Sequence, residues 1–290
     1  MTTQNRPVAV ITGASSGIGK AAAMNLAAQG WHVIAHGRDP ARTDAAERDI
    51  RAAAGPNGKV DMIRGDLCLM ADAARLASEA AALTDRIQIF LANAGGVRAE
   101  KQITPEGNEV TFAGNHLGHF LMIRRLLPQI QAAASGNPPG TARVISVSSL
   151  AHESAPPIDW DDIQMIRNWV SAPAYCLAKL YNVLFTRELA RRVAADGIVA
   201  NAMHPGVVDS NFANHGDAQM QSFMKTRDLI PPEDAADTLL WLATAPEAGT
   251  MTGGYFHLRQ QTRISDQARD DGAAARLWTE SERLLADAGY

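Results

Sequence analysis

Tyr175 and Lys179 stand four residues apart in the stretch AYCLAKL, a spacing that sets two side chains on one face of a helix, one turn apart. A phenol ordinarily loses its proton near pH 10. An ammonium beside it favours the phenolate and brings the group toward the range where it trades protons at neutral pH. Such a pair can act as general acid toward a ketone and as general base toward an alcohol. The same spacing also occurs on ordinary helix surfaces, so the pair needs companions. A hydroxyl donor is required to hold the reacting oxygen beside the phenol. VISVSS supplies two, Ser148 and Ser149, at the end of an apolar run, although serine also makes turns and caps helices there. Asn115 lies in NHLGHF within a mostly apolar helical pattern, where an amide is either a buried hydrogen-bonding residue or part of a site.

A second constellation lies near the N-terminus. The first apolar run ends in TGASSGIG, residues 12–19, and a helical pattern opens from its last glycines. Gly13, Gly17 and Gly19 allow a sharp turn and close approach of a pyrophosphate, with the free N–H groups and positive dipole of the helix start facing the phosphates. Ser15, Ser16 and Ile18 would complete the cradle. The spacing is GxxxGxG; read alone, it could be an ordinary strand-to-helix turn. Where the second strand should end stand Gly37, Arg38, Asp39 and Pro40. Asp39 followed by proline fits a helix N-cap. That leaves Arg38 as the better ligand for a 2′-phosphate, and favours NADP(H) over NAD(H) unless Arg38 is simply a solvated surface charge.

These residues must be held by a framework, and the chain alternates short apolar runs with longer amphipathic stretches, the pattern of strand-helix units on a parallel sheet. Residues 8–12, 32–37, 60–64, 87–92, 143–148, 198–204 and 255–258 read as seven strands; helices are expected at 17–29, 41–54, 71–83, 106–133, 174–195 and 232–244. The expectation is one α/β domain over 1–290, a Rossmann fold with a doubly wound seven-stranded parallel sheet and helices on both faces. Its core spans about 7–258, with an irregular lid at 207–231 and a helical C-terminal appendage at 259–290. The long connection 151–173 carries Trp160 and Trp169, and the lid carries Phe212, Met220, Phe223 and Met224. These residues either line a roomy apolar pocket or pack the lid on the body.

Composition narrows the class. The chain has 290 residues and a net charge of −4 with no basic stripe, which argues against nucleic acid as a partner. Two cysteines, Cys68 and Cys176, form no cluster, and His116, His119, His152 and His204 lack metal spacing, so no metal site is expected. Structural roles are expected for the histidines, and Cys176 reads as a small buried residue facing away from its neighbour Tyr175. Neither a signal segment nor a membrane-spanning run is apparent, and the expectation is a cytoplasmic protein with no membrane contact.

Taken together, TGASSGIG, NAG at 93–95, NHLGHF at 115–120, SS at 148–149, YCLAK at 175–179 and HPG at 204–206 resemble the short-chain dehydrogenase/reductase family. The resemblance covers about residues 7–258. VSSLAH, AYCLAKLYNVLFTRELARR and the C-terminal ARLWTESERLL are most similar to its retinol dehydrogenase-like branch. It implies a catalytic tetrad of Asn115, Ser149, Tyr175 and Lys179, with the second serine of the pair preferred. It further implies that Lys179 holds the nicotinamide ribose and that Asn115 supports a water through which protons reach the lysine. Asn93, Ala94 and Gly95 would line the adenosine side, Asp66 and Leu67 would approach the adenine, and Pro205, Gly206 and Val208 would flank the nicotinamide.

Two departures stand out: a longer connection between Ser149 and Tyr175, and no apolar N-terminal anchor of the kind membrane-bound members of that branch carry. The function expected is an NADP(H)-dependent alcohol dehydrogenase or ketoreductase interconverting an apolar small-molecule alcohol, secondary or primary, and its ketone or aldehyde, with homo-oligomerisation left open. The alternative is a non-catalytic dinucleotide-binding sensor or partner-recognition protein, which would need no hydroxyl pair at the hydride end. An epimerase or dehydratase would usually show GxxGxxG and a larger substrate domain.

Overall fold

A computed structural model describes residues 6–210, 212 and 215–290. The apolar runs that lack polar alternation form the inner strands: β1 (Val8–Ile11), β2 (His32–Gly37), β4 (Ile89–Ala92), β5 (Arg143–Val147) and β6 (Val199–Met203) are buried throughout, as strands covered on both faces must be. β3 (Lys59–Arg64) forms one edge. β7 (Tyr255–His257) and β8 (Gln260–Gln261) follow β6 at the other, giving the order β3-β2-β1-β4-β5-β6-β7-β8.

The expectation of seven parallel strands is corrected here: among the described residues the sheet has eight, and β8 runs antiparallel to β7. Leu258 and Arg259, both at positive φ, make the two-residue turn between them. Such turns usually announce themselves by Asn or Gly, which this one lacks.

Along the chain the helices are α1 (Gly17–Ala28), α2 (Pro40–Ala53), α3 (Met70–Leu83), α4 (Val110–Phe112), α5 (Gly118–Ala134), α6 (Ser171–Arg192), α7 (Ala218–Lys225), α8 (Pro232–Thr244), α9 (Asp266–Arg269) and α10 (Asp271–Asp287). Leu26, Ile50 and Leu239, from α1, α2 and α8, pack one face of the sheet. Leu76, Phe120 and Leu184, from α3, α5 and α6, pack the other, and α10 adds Leu277 and Trp278 to that side. Trp278 stacks on Phe185 at 5.8 Å between ring centroids, with the Arg192 guanidinium 4.3 Å from its centroid. The C-terminal stretch is therefore part of the core packing.

Three local departures have physical causes. The helix expected over 106–133 begins at Val110, where the Glu109 carboxylate accepts from the Phe112 amide, and α4 passes through a π-turn, Ala113–Leu117, before α5. α6 starts three residues earlier than expected because Pro173 sits in its first turn, where a helix needs no N–H. The stretch 207–231 is not wholly irregular: Asp217 caps α7 by accepting from the Met220 amide. Among the described residues no helix is long and apolar enough to cross a membrane.

Candidate active site

The sheet order reverses between β1 and β4, and a cavity of about 820 Å³ opens at the carboxyl ends of the strands there. Gly13 and Gly17 take positive φ, which side-chain-bearing residues rarely adopt. With Ser15, Ser16 and Ile18 they form one wall. Gly19 does not line the cavity. A methyl there would lie 2.4 Å from Asn93 Nδ2 and 2.5 Å from the Gly13 oxygen, so its part is close packing. α1 has no acidic residue in its first turn and Ser16 makes no side-chain cap, which leaves the amides and dipole of its start to an anion. The cradle thus fits a dinucleotide pyrophosphate.

Asp39 caps α2, its Oδ1 accepting from the Arg42 amide at 2.9 Å with Pro40 in the first turn. Arg38 is left facing the cavity, Nη1 3.5 Å from Asp66 Oδ2. Asp66, Leu67, Asn93, Ala94, Gly95, Pro205, Gly206 and Val208 all line the same cavity. Sequence reasoning missed Arg42, Arg98, Ser210 and His215, which line it too. Arg42 carried a readable signal, one turn beyond Arg38 on the expected helix; His215 carried none.

At the far end the cavity reaches Asn115, Ser149, Tyr175 and Lys179. Lys179 is 4% exposed; its Nζ donates to the Val147 carbonyl at 3.1 Å and lies 5.5 Å from the Tyr175 ring centroid. Burial pulls the ammonium down to about 8. The expected drift of Tyr175 toward neutral pH is not what the site gives. Burial raises the phenol above its ordinary range, and a hydrogen bond with the Ser149 side chain only partly opposes this. A buried hydroxyl beside a partly desolvated ammonium thus stays protonated.

The two serines separate clearly. Ser148 is buried and its Oγ donates to the Lys179 carbonyl at 2.7 Å, fixing the turn of α6 that carries the lysine. Ser149 opens onto the cavity, and its Oγ accepts from the Ala151 amide at 3.2 Å.

Asn115 sits in the π-turn with its side chain fully used. Oδ1 accepts from the Gly96 amide at 3.1 Å, and Nδ2 donates to the Gly96 and Thr111 carbonyls, each at 2.8 Å. Its carbonyl oxygen is 3.2 Å from His119 Nδ1, while His119 Nε2 is 2.8 Å from Thr12 Oγ1. Thr12 Oγ1 already accepts from the Asn93 and Ala94 amides. The Thr12 hydroxyl also lies 3.1 Å from the Leu91 carbonyl, which already accepts from the Thr12 and Asn93 amides; its proton therefore goes to Nε2, and a neutral His119 donates from Nδ1 to Asn115. Burial keeps that ring neutral by pushing it down to about 4.

The other tempting residues have structural partners. His116, in the π-turn, meets Ser281 Oγ at 2.8 Å; that hydroxyl gives its proton to the Leu277 carbonyl, so the imidazole Nε2–H is the donor. His152 Nδ1 lies 2.8 Å from the Ser149 carbonyl. His204 stacks on His257 with ring centroids 3.9 Å apart, and it also lines the cavity. Cys176 departs from expectation, since it is only partly buried and contributes to the cavity wall beside Tyr175.

Of the aromatic and methionine candidates, Phe212, Met220, Phe223 and Met224 line the cavity, with the Phe212 ring 5.1 Å from that of Tyr175. Trp160 and Trp169 do not. Trp169 Nε1 donates to Glu109 at 2.9 Å, and Trp160 lies against the core under the Arg276 guanidinium.

The chain is similar to known proteins over most of its length. Residues 7–221 match the family described as short chain dehydrogenase. Retinol dehydrogenase 13 of Homo sapiens is 37% identical over 285 residues, covering 95% of this chain and 83% of that protein. Retinol dehydrogenase 12 of Homo sapiens is 35% identical over 284 residues, covering 96% and 86%. Among solved structures, an uncharacterized protein from Mycobacterium Paratuberculosis superposes with a TM-score of 0.75 at 29% identity, over 99% of this chain and 97% of that one. The Pseudomonas aeruginosa RhlG/NADP active-site complex gives 0.68 at 27% identity, over 92% and 96%.

Proposed function

The chain belongs to the short-chain dehydrogenase family, in its retinol dehydrogenase-like branch, and is an NAD(P)-dependent oxidoreductase of alcohols; from that premise we propose that it uses NADP(H) to interconvert an apolar alcohol and its ketone or aldehyde. The observation that carries this reading is the meeting, in one cavity, of the glycine cradle with Tyr175, Ser149 and Lys179. The bound nicotinamide supplies or accepts the hydride.

The chain's own residues then handle position and proton. Ser149 Oγ and the Tyr175 hydroxyl hold the substrate oxygen between them, and Tyr175 gives its proton to that oxygen as the carbonyl is reduced. Burial keeps the phenol in the protonated form from which an acid must start. Lys179 stabilises the phenolate left behind. Phe212, Met220 and Phe223 in the lid offer the substrate an apolar wall. Arg38 favours NADP(H) because a guanidinium pairs well with a 2′-phosphate.

Two measurements test this reading. Purified protein offered aliphatic, aromatic and polycyclic ketones should oxidise NADPH, and Arg38→Ala should weaken NADPH while leaving NADH within about twofold; equal losses would remove the cofactor assignment. Lys179 is cationic below about 8 and loses its charge above it. Ketone reduction should therefore hold through neutral pH and fall on an alkaline limb at or above about 8. A rate still rising there would separate Lys179 from the chemistry.

A further inference from the structure

The adenosine end of the cavity holds more cationic groups than one phosphate contact from β2 requires. Arg38 follows β2, Arg42 lies in the first turn of α2, and Arg98 follows β4. His215 faces them from the lid. With Arg38, Arg98 and Asp66 it also walls an adjoining recess of about 580 Å³.

The lid already crosses this groove. A methyl on Gly17 would lie 3.7 Å from Ser210 Cβ, and one on Gly216 would lie 3.1 Å from Val97. The nearby carboxylates are engaged. Asp39 caps α2 and lies 3.5 Å from the Arg42 Nε, Asp217 caps α7, and Asp66 accepts from the Cys68 amide while lying 3.5 Å from Arg38. Among the described residues Arg98 has no carboxylate within ion-pair distance, and its Nη1 donates only to the Val97 carbonyl at 3.1 Å. Burial, followed by the charges of Arg98, Arg38 and Arg42, holds the His215 imidazole below its ordinary range. Three guanidiniums against the two carboxylates of Asp39 and Asp66 leave this wall cationic and suited to a further anion.

We infer that His215 is the lid's ligand for the phosphate on the adenosine ribose, taking up one proton from solvent as that phosphate binds. This rests on the NADP(H) reading above and adds to it a role for the lid: the segment that walls the substrate is also tied down by the cofactor's extra phosphate. A monoester phosphate carries a charge of about −1.5 to −2 at neutral pH and offers three acceptor oxygens, enough for Arg38 and an imidazolium from the opposite side. The imidazole binds its proton less readily in the free protein and more readily in the complex. Affinity for NADP(H) is therefore greatest at low pH and falls, by up to about tenfold per unit, as pH rises between the free and bound values. The phosphate's own protonation near pH 6 acts in the opposite direction and is common to all variants.

The test is calorimetric titration of the whole chain with NADPH, NADH and adenosine 2′,5′-bisphosphate, from about pH 6.5 to about 8.5, in two buffers of different ionisation enthalpy. The proteins are wild type, His215→Gln and Arg38→Ala. Wild type should lose roughly five- to tenfold in NADPH affinity across that range and take up protons on binding. His215→Gln should start about five- to tenfold weaker, show a flat profile above pH 7 and lose the buffer-dependent proton uptake, with NADH unchanged.

An unaltered pH slope in His215→Gln would overturn the inference. So would equal losses for NADPH and NADH, which would set His215 against the shared diphosphate instead. If Arg38→Ala selectively weakens NADPH and His215→Gln does not, the cofactor reading stands and the inference alone falls. A wild-type protein that prefers NADH removes the reading beneath it.

Discussion

The two ends of the cavity are built on different principles. At the dinucleotide end the constraint lies in the backbone: Gly13 and Gly17 are at positive φ, Gly19 has no room for a methyl, and α1 buries Ala22, Ala23 and Leu26 behind them. At the substrate end the wall is made of side chains on a short helix, α7, which has no buried residue, and Phe223 is 46% exposed. A cofactor shared across many reactions can be held by fixed backbone amides. A substrate specific to one reaction is met by side chains that change without cost to the core. Tyr175 and Lys179 lie between the two, on a helix anchored in the core with their working atoms in the cavity.

That contrast can be broken at several points. Removing the Tyr175 hydroxyl should have the largest effect: Tyr175→Phe keeps the ring against Phe212 and should cut turnover by about 10² to 10⁴-fold, with dinucleotide affinity within a few fold. Steady-state turnover together with a fluorescence titration of NADPH checks both halves, and near-normal ketone reduction would mean a different acid.

Next is Gly19→Ala, which places a methyl against Asn93 and the Gly13 oxygen. Overpacking of this kind costs about 1–3 kcal/mol, so the melting temperature should fall by several degrees and the cofactor Kd rise by about tenfold. Unchanged binding would show that the dinucleotide end tolerates side chains after all.

The serine pair is a finer probe. Ser149→Ala should lower turnover by about tenfold or more and cost about 0.5 kcal/mol through the lost cap on the Ala151 amide, whereas Ser148→Ala should cost about 1–2 kcal/mol of stability through the lost bond to the Lys179 carbonyl. Denaturant melts and rates on the same preparations would distinguish them, and the reverse pattern would exchange their roles.

The smallest effect is expected at the lid. Phe223→Ser should raise KM for the largest apolar ketones by about three- to tenfold and change stability by no more than about 0.5 kcal/mol. A loss of fold there would contradict the exposed position of α7.

What could be read in the sequence follows the same division. The glycine loop, the Asp39 cap and the four-residue step from Tyr175 to Lys179 are local patterns, and each appears where its spacing put it. The choice between Ser148 and Ser149 was not local. It depends on a carbonyl 31 residues away, and only the packing of α6 on β5 shows that the first hydroxyl is already used. Trp160 and Trp169 look like pocket walls by residue type, but their partners come from α10 and from Glu109, so composition alone could not place them. The lid's reach to the cofactor end was invisible for the same reason. His215 lies near Arg38, Arg42 and Arg98, from two other segments of the chain, and no spacing within its own segment encodes that.

The bond between His116 and Ser281 closes a span of 165 residues, from the turn holding Asn115 to the last helix. At about 5–20 residues per second on a ribosome, that span takes roughly 8–33 s to make. Through that interval the nascent chain already contains the glycine cradle, and Tyr175 is added within it, while the imidazole beside Asn115 lacks its acceptor. Synthesis therefore has an order built into it: the means to hold a dinucleotide are translated first, and the support beneath the catalytic turn arrives last. Nascent chains sampled at successive lengths should gain protection by NADPH before they gain turnover.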